Sequence, residues 1–182
     1  MDQIDLIRNA LKITKLKRSG WVAKEIKEPE SVADHSYGAA FLAMTIDLPE
    51  GLDRCRVIKM ALIHDVGESI IGDIIWEKGD KTMHDVYENK RDKEEAALKE
   101  IFKDHPEELE LSIEFYELKT PTAKFVKELD KLEMAFQALA YEEQVSDNRL
   151  IEFWENTEKY LISKETIKLF EELKKLRKEI RN

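Results

Sequence analysis

The sequence predicts an all-α fold, a single-domain helical bundle spanning residues 1–182. Nearly every segment places its apolar residues at the 3.6-residue period of an amphipathic helix. No run of alternating, β-branched residues stands between turn signals, as a strand would require. Short clusters of glycine, proline and capping residues separate the periodic segments, and no stretch has the composition of a linker between two domains.

The first helix is predicted over about Asp5 to Lys17 from its apolar spacing. It should end near Gly20, because glycine suits the left-handed residue that follows a helix. We expect a loop from Trp21 to Glu30.

A second helix is predicted from a capping signal. Ser31 and Asp34 have the spacing of a capping box, in which each side chain bonds the backbone N–H of the other residue. The helix should carry His35 in its first turns and end before Pro49.

The third helix is predicted to begin at Asp53, a favoured capping residue, and to run through His64 to about Ile71 before Gly72. Pro121 is predicted to start a long later helix, since proline is favoured in the first turn. A polar stretch from Glu77 to Asp85 and a turn at Ser146 to Asn148 separate other elements. These later helices are predicted over about 86–103, 107–118, 121–140, 150–161 and 164–180.

Composition excludes several classes of protein. Thirty basic residues against 39 acidic ones give a formal charge of −9, which argues against polymeric nucleic acid or an anionic membrane as the main partner. The one cysteine, Cys55, cannot form an internal disulfide and is expected as a small core residue in a reducing compartment. With no basic start and no long apolar run, a cytoplasmic location is expected.

His64 and Asp65 stand side by side at the end of an apolar helical segment. Either residue alone is explained by a structural role, as a buried histidine bonded to a carbonyl or an aspartate capping a helix. Neighbours on a helix point about 100° apart, so the two side chains converge only on a point close to the helix. A metal ion is such a point, and its charge offsets the cost of burying a carboxylate.

Residues near the doublet extend this hypothesis. Glu68 lies four residues after His64, so its side chain should face the same point. Its position one turn away favours a hydrogen bond to a metal-bound water over direct ligation of the metal. Gly67 indicates a close approach, by a packed helix or by a ligand. A divalent cation takes four to six ligands. His35 and Asp130, each beside apolar positions of a predicted helix, are the best remaining candidates.

The order His35, His64-Asp65, Asp130 resembles that of the HD-domain metal-dependent phosphohydrolases, which are helical proteins. Four blocks resemble the 5'-deoxynucleotidase branch of that family: KRSGWV (17–22), PESVADHS (29–36), HDVGE (64–68) with Gly72-Asp73, and FVKELDKLE (125–133). They span most of the chain, roughly residues 6–160. In these blocks the basic residue and the tryptophan stand apart, as Arg18 and Trp21, whereas some members of the branch have them adjacent.

The resemblance implies roles for particular residues. The metal ligands would be His35, His64, Asp65 and Asp130, and the part of the domain that forms the metal site would span about residues 31–140. Glu68, with Asp65 and Asp73, would form the catalytic set, Glu68 handling protons or the attacking water. The implied substrate contacts are Arg18 at the phosphate, Trp21 against the sugar and Asp73 near the sugar hydroxyl. Glu117 is a further acidic residue that could correspond to a family position near the sugar, and its alignment with that position is left open.

The resemblance implies a metal-dependent 5'-deoxynucleotidase that releases phosphate from deoxyribonucleoside 5'-monophosphates. Mn, Co, Mg, Fe, Ni and Zn all suit a site of two histidines and two aspartates. The alternatives are a hydrolase of the same family that cleaves another nucleotide phosphoester, a metal-dependent module that binds a nucleotide without turnover, and a helical interaction protein without metal. Relatives of this kind imply a homodimer, and the helices over about 148–181 would pack on their own domain or on a partner.

Overall fold

The chain is all-α, as predicted. The computed structural model describes residues 2–73, 83–142, 144–145 and 148–181, and only the backbone of residues 83–91. Within these ranges there is no strand, and an isolated antiparallel bridge joins Lys17 to Ser31. The helices are α1 (Gln3–Ala10), a 3₁₀ helix (Leu11–Thr14), α2 (Ser19–Ala23), α3 (Val32–Thr45), α4 (Arg54–Ile63), α5 (Glu68–Ile71), α6 (Met83–Ile101), α7 (Pro106–Glu117), α8 (Pro121–Glu142), α9 (Ile151–Tyr160) and α10 (Lys164–Arg181).

The described residues form two compact units. The first comprises Met1–Asp34 and Ile63–Glu114. In it, the short helix α5 packs against α6, the 3₁₀ helix and α1. Apolar side chains of these elements are buried, among them Ile13, Val66 and Leu98. Burying such side chains is the main favourable contribution to the stability of the unit.

The second unit comprises His35–Leu62 and Phe115–Asn182. Its longest helix, α8, packs against α9 and α10. Leu129 and Leu132 of α8 are fully buried, as the predicted helical period requires. Trp154 of α9 and Phe170 of α10 are also buried, with their ring centroids 5.9 Å apart.

The predicted capping signals at the starts of α3 and α4 are confirmed. The Ser31 backbone N–H donates to Asp34 Oδ2 at 2.8 Å, and the Asp34 backbone N–H donates to Ser31 Oγ at 3.1 Å. Asp53 accepts from the Arg56 backbone N–H at 2.6 Å. These bonds satisfy N–H groups that have no partner within the helix, and they fix where each helix begins.

The first predicted helix is wrong in its second half. The α-helix ends at Ala10 and continues as the 3₁₀ helix, and Gly20 lies inside α2 rather than in a left-handed terminal position. The Ser19 backbone N–H at the start of α2 donates to the Asp73 carboxylate. This contact joins residues 54 positions apart, so local glycine propensity did not decide the conformation.

The third predicted helix is interrupted at the residues of interest. α4 ends at Ile63, residues 64–67 form a turn, and α5 begins at Glu68. Gly72 ends α5 with a φ of 80°, as predicted for a glycine at this position. Gly67 has an ordinary φ of −57°, and a Cβ there would lie 3.6 Å from Leu98, an ordinary contact distance, so neither the backbone conformation nor packing against α6 requires glycine.

The prediction that Cys55 belongs to the core is wrong, because its side chain is exposed. The buried residues of α4 are Val57, Met60 and Ala61. Cys55 precedes Val57 by two residues, which is about 200° around the helix, so it lies on the opposite face.

No helix among the described residues is long and apolar enough to cross a membrane. Two predictions fall wholly or partly outside the described residues: the polar stretch from Glu77 to Asp85 and the turn at Ser146 to Asn148. The side chain of His84 also lies outside them.

Candidate functional site

The turn after α4 carries the predicted doublet. His64 is fully buried, and its Nε2 lies 3.2 Å from Oδ2 of Asp65, whose side chain is 21% exposed. The two side chains therefore converge, as predicted. They project from a turn in which backbone hydrogen bonds join residues three apart. For example, the Glu68 N–H donates to the Asp65 carbonyl oxygen at 3.0 Å.

Arg18 lies beside the same Asp65 oxygen. Its Nη1 is 4.0 Å from Asp65 Oδ2, and its Nε is 3.6 Å from Glu30 Oε1. The backbone also holds the arginine, because the Arg18 N–H donates to the Glu30 carbonyl at 3.0 Å. A permanent positive charge is thus held next to a carboxylate that is a candidate metal ligand.

Trp21 lies inside α2, not in the predicted loop, and its side chain anchors that helix. It is 1% exposed, and its indole Nε1–H donates to Glu30 Oε1 at 2.7 Å. Sequence reasoning gave no role to Glu30, although it stands in the quoted block at 29–36. One Glu30 oxygen therefore faces both the indole and the guanidinium, so this buried carboxylate fixes two residues expected to contact substrate.

Asp73 ties the end of α5 to the start of α2. Its Oδ2 accepts from the Ser19 backbone N–H at 2.5 Å, and the Ser19 hydroxyl donates to the Asp73 carbonyl at 2.7 Å. A carboxylate at a helix N-terminus is stabilising, since the N–H groups there are partly positive. These two hydrogen bonds fix the position of Ser19, the residue that follows Arg18.

Glu68, the expected proton-handling residue, begins α5. Its side chain is 8% exposed. Its carbonyl accepts from the Gly72 N–H at 2.8 Å, so the short helix holds it through the backbone as well. This nearly buried carboxylate follows His64 and Asp65 by about one turn and is a candidate for proton transfer.

In the second unit, α3 and α8 bring together His35 and Asp130. His35 is fully buried, and its Nε2 lies 3.2 Å from Asp130 Oδ1. On the other side of the ring, His35 Nδ1 forms a hydrogen bond with Glu133 Oε2. Sequence reasoning missed Glu133, although its spacing of three residues from Asp130 on α8 puts both on one helix face.

Two lysines surround the other oxygen of Asp130. Lys127 Nζ lies 2.7 Å and Lys131 Nζ 3.5 Å from Oδ2. Burial opposes ionisation of Asp130, but the charges of Lys127 and Lys131 hold the pKa of its carboxyl well below its ordinary value. Asp130 is therefore an anion at neutral pH, as a metal ligand must be.

Two further side chains, those of Glu117 and His105, are in contact with solvent. Glu117 is exposed at the end of α7, and its Oε1 lies 3.1 Å from Lys119 Nζ. The side chain of His105 is 40% exposed, with Nδ1 4.0 Å from Glu108 Oε2.

Both histidine–aspartate pairs have the spacing that a metal ion requires. Two ligand atoms at about 2.1 Å from one ion lie about 3.0–3.4 Å apart at angles near 90–110°. The pairs His64–Asp65 and His35–Asp130 each measure 3.2 Å. Imidazole nitrogen and carboxylate oxygen together are donors for Zn, Mn, Fe, Co or Ni. The donor set therefore suits a divalent metal ion.

Sequence relatives cover most of the chain. The HD domain family matches residues 10–174. The 5'-deoxynucleotidase HDDC2 of Homo sapiens is 35% identical over 176 residues, 93% of this chain and 83% of that protein. The protein of the same name from Xenopus laevis is 40% identical over 152 residues, 80% of this chain and 72% of that protein.

Solved structures agree with the sequence relatives. A conserved hypothetical protein from Pyrococcus furiosus has a TM-score of 0.76 at 36% identity, over 95% of this chain and 99% of that chain. The PH0347 protein from Pyrococcus horikoshii OT3 has a TM-score of 0.78 at 34% identity, over 97% and 99%. With its helices, its histidine–aspartate pairs and a family match across residues 10–174, the chain belongs to the HD domain family.

Proposed function

We propose that this protein is a metal-dependent 5'-deoxynucleotidase, which hydrolyses deoxyribonucleoside 5'-monophosphates to a deoxynucleoside and inorganic phosphate. The observation that carries the proposal is that each histidine–aspartate contact measures 3.2 Å, which matches the spacing of two ligand atoms on a cation. Relatives named 5'-deoxynucleotidases, at 35% and 40% identity, supply the reaction and the substrate class.

The metal ligands in this proposal are His35, His64, Asp65 and Asp130. His35, His64 and Asp130 are buried, and each offers one ligand atom to a metal ion. Two neutral imidazoles and two carboxylates balance the charge of a divalent ion, so the loaded centre carries about zero net charge. When bound, the ion would polarise a phosphate oxygen and make a water molecule more acidic.

Glu68 is the proposed proton-handling residue. Water attacks phosphorus as the bond from phosphorus to the 5'-oxygen breaks. Glu68 accepts the proton that the water loses, and that proton is returned to the departing 5'-oxygen, so the step neither gains nor loses a proton overall. Its position at the start of α5, directly after the turn that carries the doublet, and its 8% exposure support this role.

Arg18 is the proposed phosphate-binding cation. The dianionic phosphate of the substrate needs a positive partner beyond a charge-neutral metal centre. A guanidinium meets two phosphate oxygens at once, and the contacts of Arg18 with Asp65 and Glu30 hold it beside the doublet.

The sugar contacts of Trp21 and Asp73 remain predictions. An aromatic wall where a 2'-hydroxyl would sit can exclude ribonucleotides by size. The bonds from Trp21 to Glu30 and from Ser19 to Asp73 support anchoring roles for both residues. The two roles are compatible if the edge of a buried indole forms one side of the sugar pocket. A homodimer and a cytoplasmic location also remain predictions.

Phosphate release tests the proposal. The full chain is assayed with deoxyribo- and ribonucleoside 5'-monophosphates in the presence of Mn²⁺, Co²⁺ or Mg²⁺, beside the Asp65→Ala variant. We expect release from deoxyribonucleotides above ribonucleotides, and none above background from the variant. Turnover that survives both chelation and Asp65→Ala would reject the proposal.

A further inference from the structure

The imidazole of His35 is held from both sides by acids of one helix. Its Nε2 faces Asp130 Oδ1 at 3.2 Å, and its Nδ1 is bonded to Glu133 Oε2. His35 is fully buried and Glu133 is 6% exposed. A carboxylate accepts a hydrogen bond and has no proton to donate, so Nδ1 carries the ring hydrogen and Nε2 keeps its lone pair.

The carboxylate of Glu133 occupies space left by a glycine. Gly38 follows His35 by three residues on α3, which puts it on the same helix face. A Cβ at residue 38 would lie 2.8 Å from both Cγ and Oε1 of Glu133. Side chains essentially never approach so closely, so any larger residue would displace the carboxylate. Gly38 thus provides the place where Glu133 reaches the ring.

We propose that Glu133 is a positioning residue that sets the tautomer and orientation of His35 for metal binding, and that Gly38 is required for it. The inference rests on the proposed role of His35 as a ligand. A buried acid that bonds the far nitrogen of a ligating histidine keeps the near nitrogen aimed at the ion and makes it a better donor. Loss of such an acid typically weakens metal binding about 10- to 100-fold.

Mn²⁺ affinity of the full chain, measured by competition with a chelator, tests the inference. Glu133→Ala should weaken binding about 10- to 100-fold, with one ion still bound per chain at saturation. Glu133→Gln should lose less, because its amide oxygen can still accept from Nδ1. Gly38→Ala, which keeps the carboxylate but shifts it, should also weaken binding.

Glu128→Gln is the matched control. Glu128 is another buried acid of α8, and it accepts from the backbone N–H groups of Ile162 and Ser163 at 2.9 and 2.8 Å, at the start of α10. The variant should lower the melting temperature and leave Mn²⁺ affinity unchanged. Weakened affinity in Glu133→Ala and Gly38→Ala but not in Glu128→Gln distinguishes positioning from general destabilisation.

Kinetics provide a second readout. The Mn²⁺ concentration giving half-maximal phosphate release should rise about 10- to 100-fold in Glu133→Ala, while KM for the nucleotide at saturating Mn²⁺ changes little. Unchanged affinity in folded Glu133→Ala and Gly38→Ala would overturn the inference, as would loss of one bound ion per chain, which would make Glu133 a ligand. Tight Mn²⁺ binding without phosphate release by the unmodified chain would reject the proposed function and leave this inference standing.

Discussion

His64 Nε2 and Asp65 Oδ2 lie 3.2 Å apart even though the two residues are neighbours in the chain. On a continuous helix their side chains would diverge by about 100°. The helix instead ends at Ile63, and the turn at residues 64–67 brings the two atoms together. The break in the helix is therefore part of the candidate metal centre.

Glu68→Ala should retain metal and lose catalysis. Glu68 is proposed to move a proton without ligating the ion, so metal content should stay at the level of the unmodified chain. The kcat should fall at least about 100-fold, the usual contribution of general acid–base catalysis. Elemental analysis and phosphate release measure the two effects, with Glu107→Ala on the surface of α7 as control. Loss of the metal would make Glu68 a ligand.

Arg18→Ala should lower kcat/KM for a deoxyribonucleoside monophosphate about 10- to 100-fold, the equivalent of one charged hydrogen bond of about 1.5–3 kcal/mol. Arg18→Lys should recover part of this loss, since it restores the charge but not the paired donors. Arg8→Ala, an exposed arginine of α1, is the control. Steady-state kinetics that match the unmodified chain would remove Arg18 from the phosphate site.

Trp21 variants separate anchoring from sugar selection. Trp21→Phe removes the indole N–H from Glu30 and should cost about 1–3 kcal/mol of unfolding free energy. Trp21→Ala should in addition raise activity on ribonucleotides relative to deoxyribonucleotides. Trp154→Phe removes the matching bond to Glu142 and should change stability alone. If the substrate ratio is the same in all variants, Trp21 only anchors α2.

Asp34 should stabilise the fold at neutral pH but not in strong acid. Hydrogen bonds from the Ser31 backbone N–H and hydroxyl, together with the charge of Lys17, hold the pKa of Asp34 below its ordinary value of 3.8, although partial burial opposes this. Its contribution is therefore complete above pH 3.8 and disappears as the pH falls through the lower folded value. Urea titrations of the unmodified chain and Asp34→Asn should differ at pH 7 and converge towards pH 2. An equal difference at both pH values would contradict this account.

Local signals in the sequence predicted much of the fold. The caps at Ser31 and Asp53 act between residues three apart, and their effect is visible in the sequence alone. Gly20 and Cys55 were misjudged because distant contacts and the helix face decided their environments. No local signal reveals that Asp73 would bond Ser19.

The same distinction applies to the site. His64 and Asp65 are visible as a doublet, whereas Glu30 and Glu133 act through side chains far along the chain, Trp21 and His35 respectively. The quoted blocks contain both acids. Spacing alone gives no partner for either one, because their contacts depend on which helices and loops meet.

Anomalous diffraction from crystals of the Mn²⁺-loaded protein tests the central claim most directly. We predict one manganese peak per chain, at about 2.0–2.3 Å from a nitrogen of His35, a nitrogen of His64 and one oxygen each of Asp65 and Asp130. Manganese bound by only one histidine–aspartate pair, or a peak that excludes both pairs, would contradict the account.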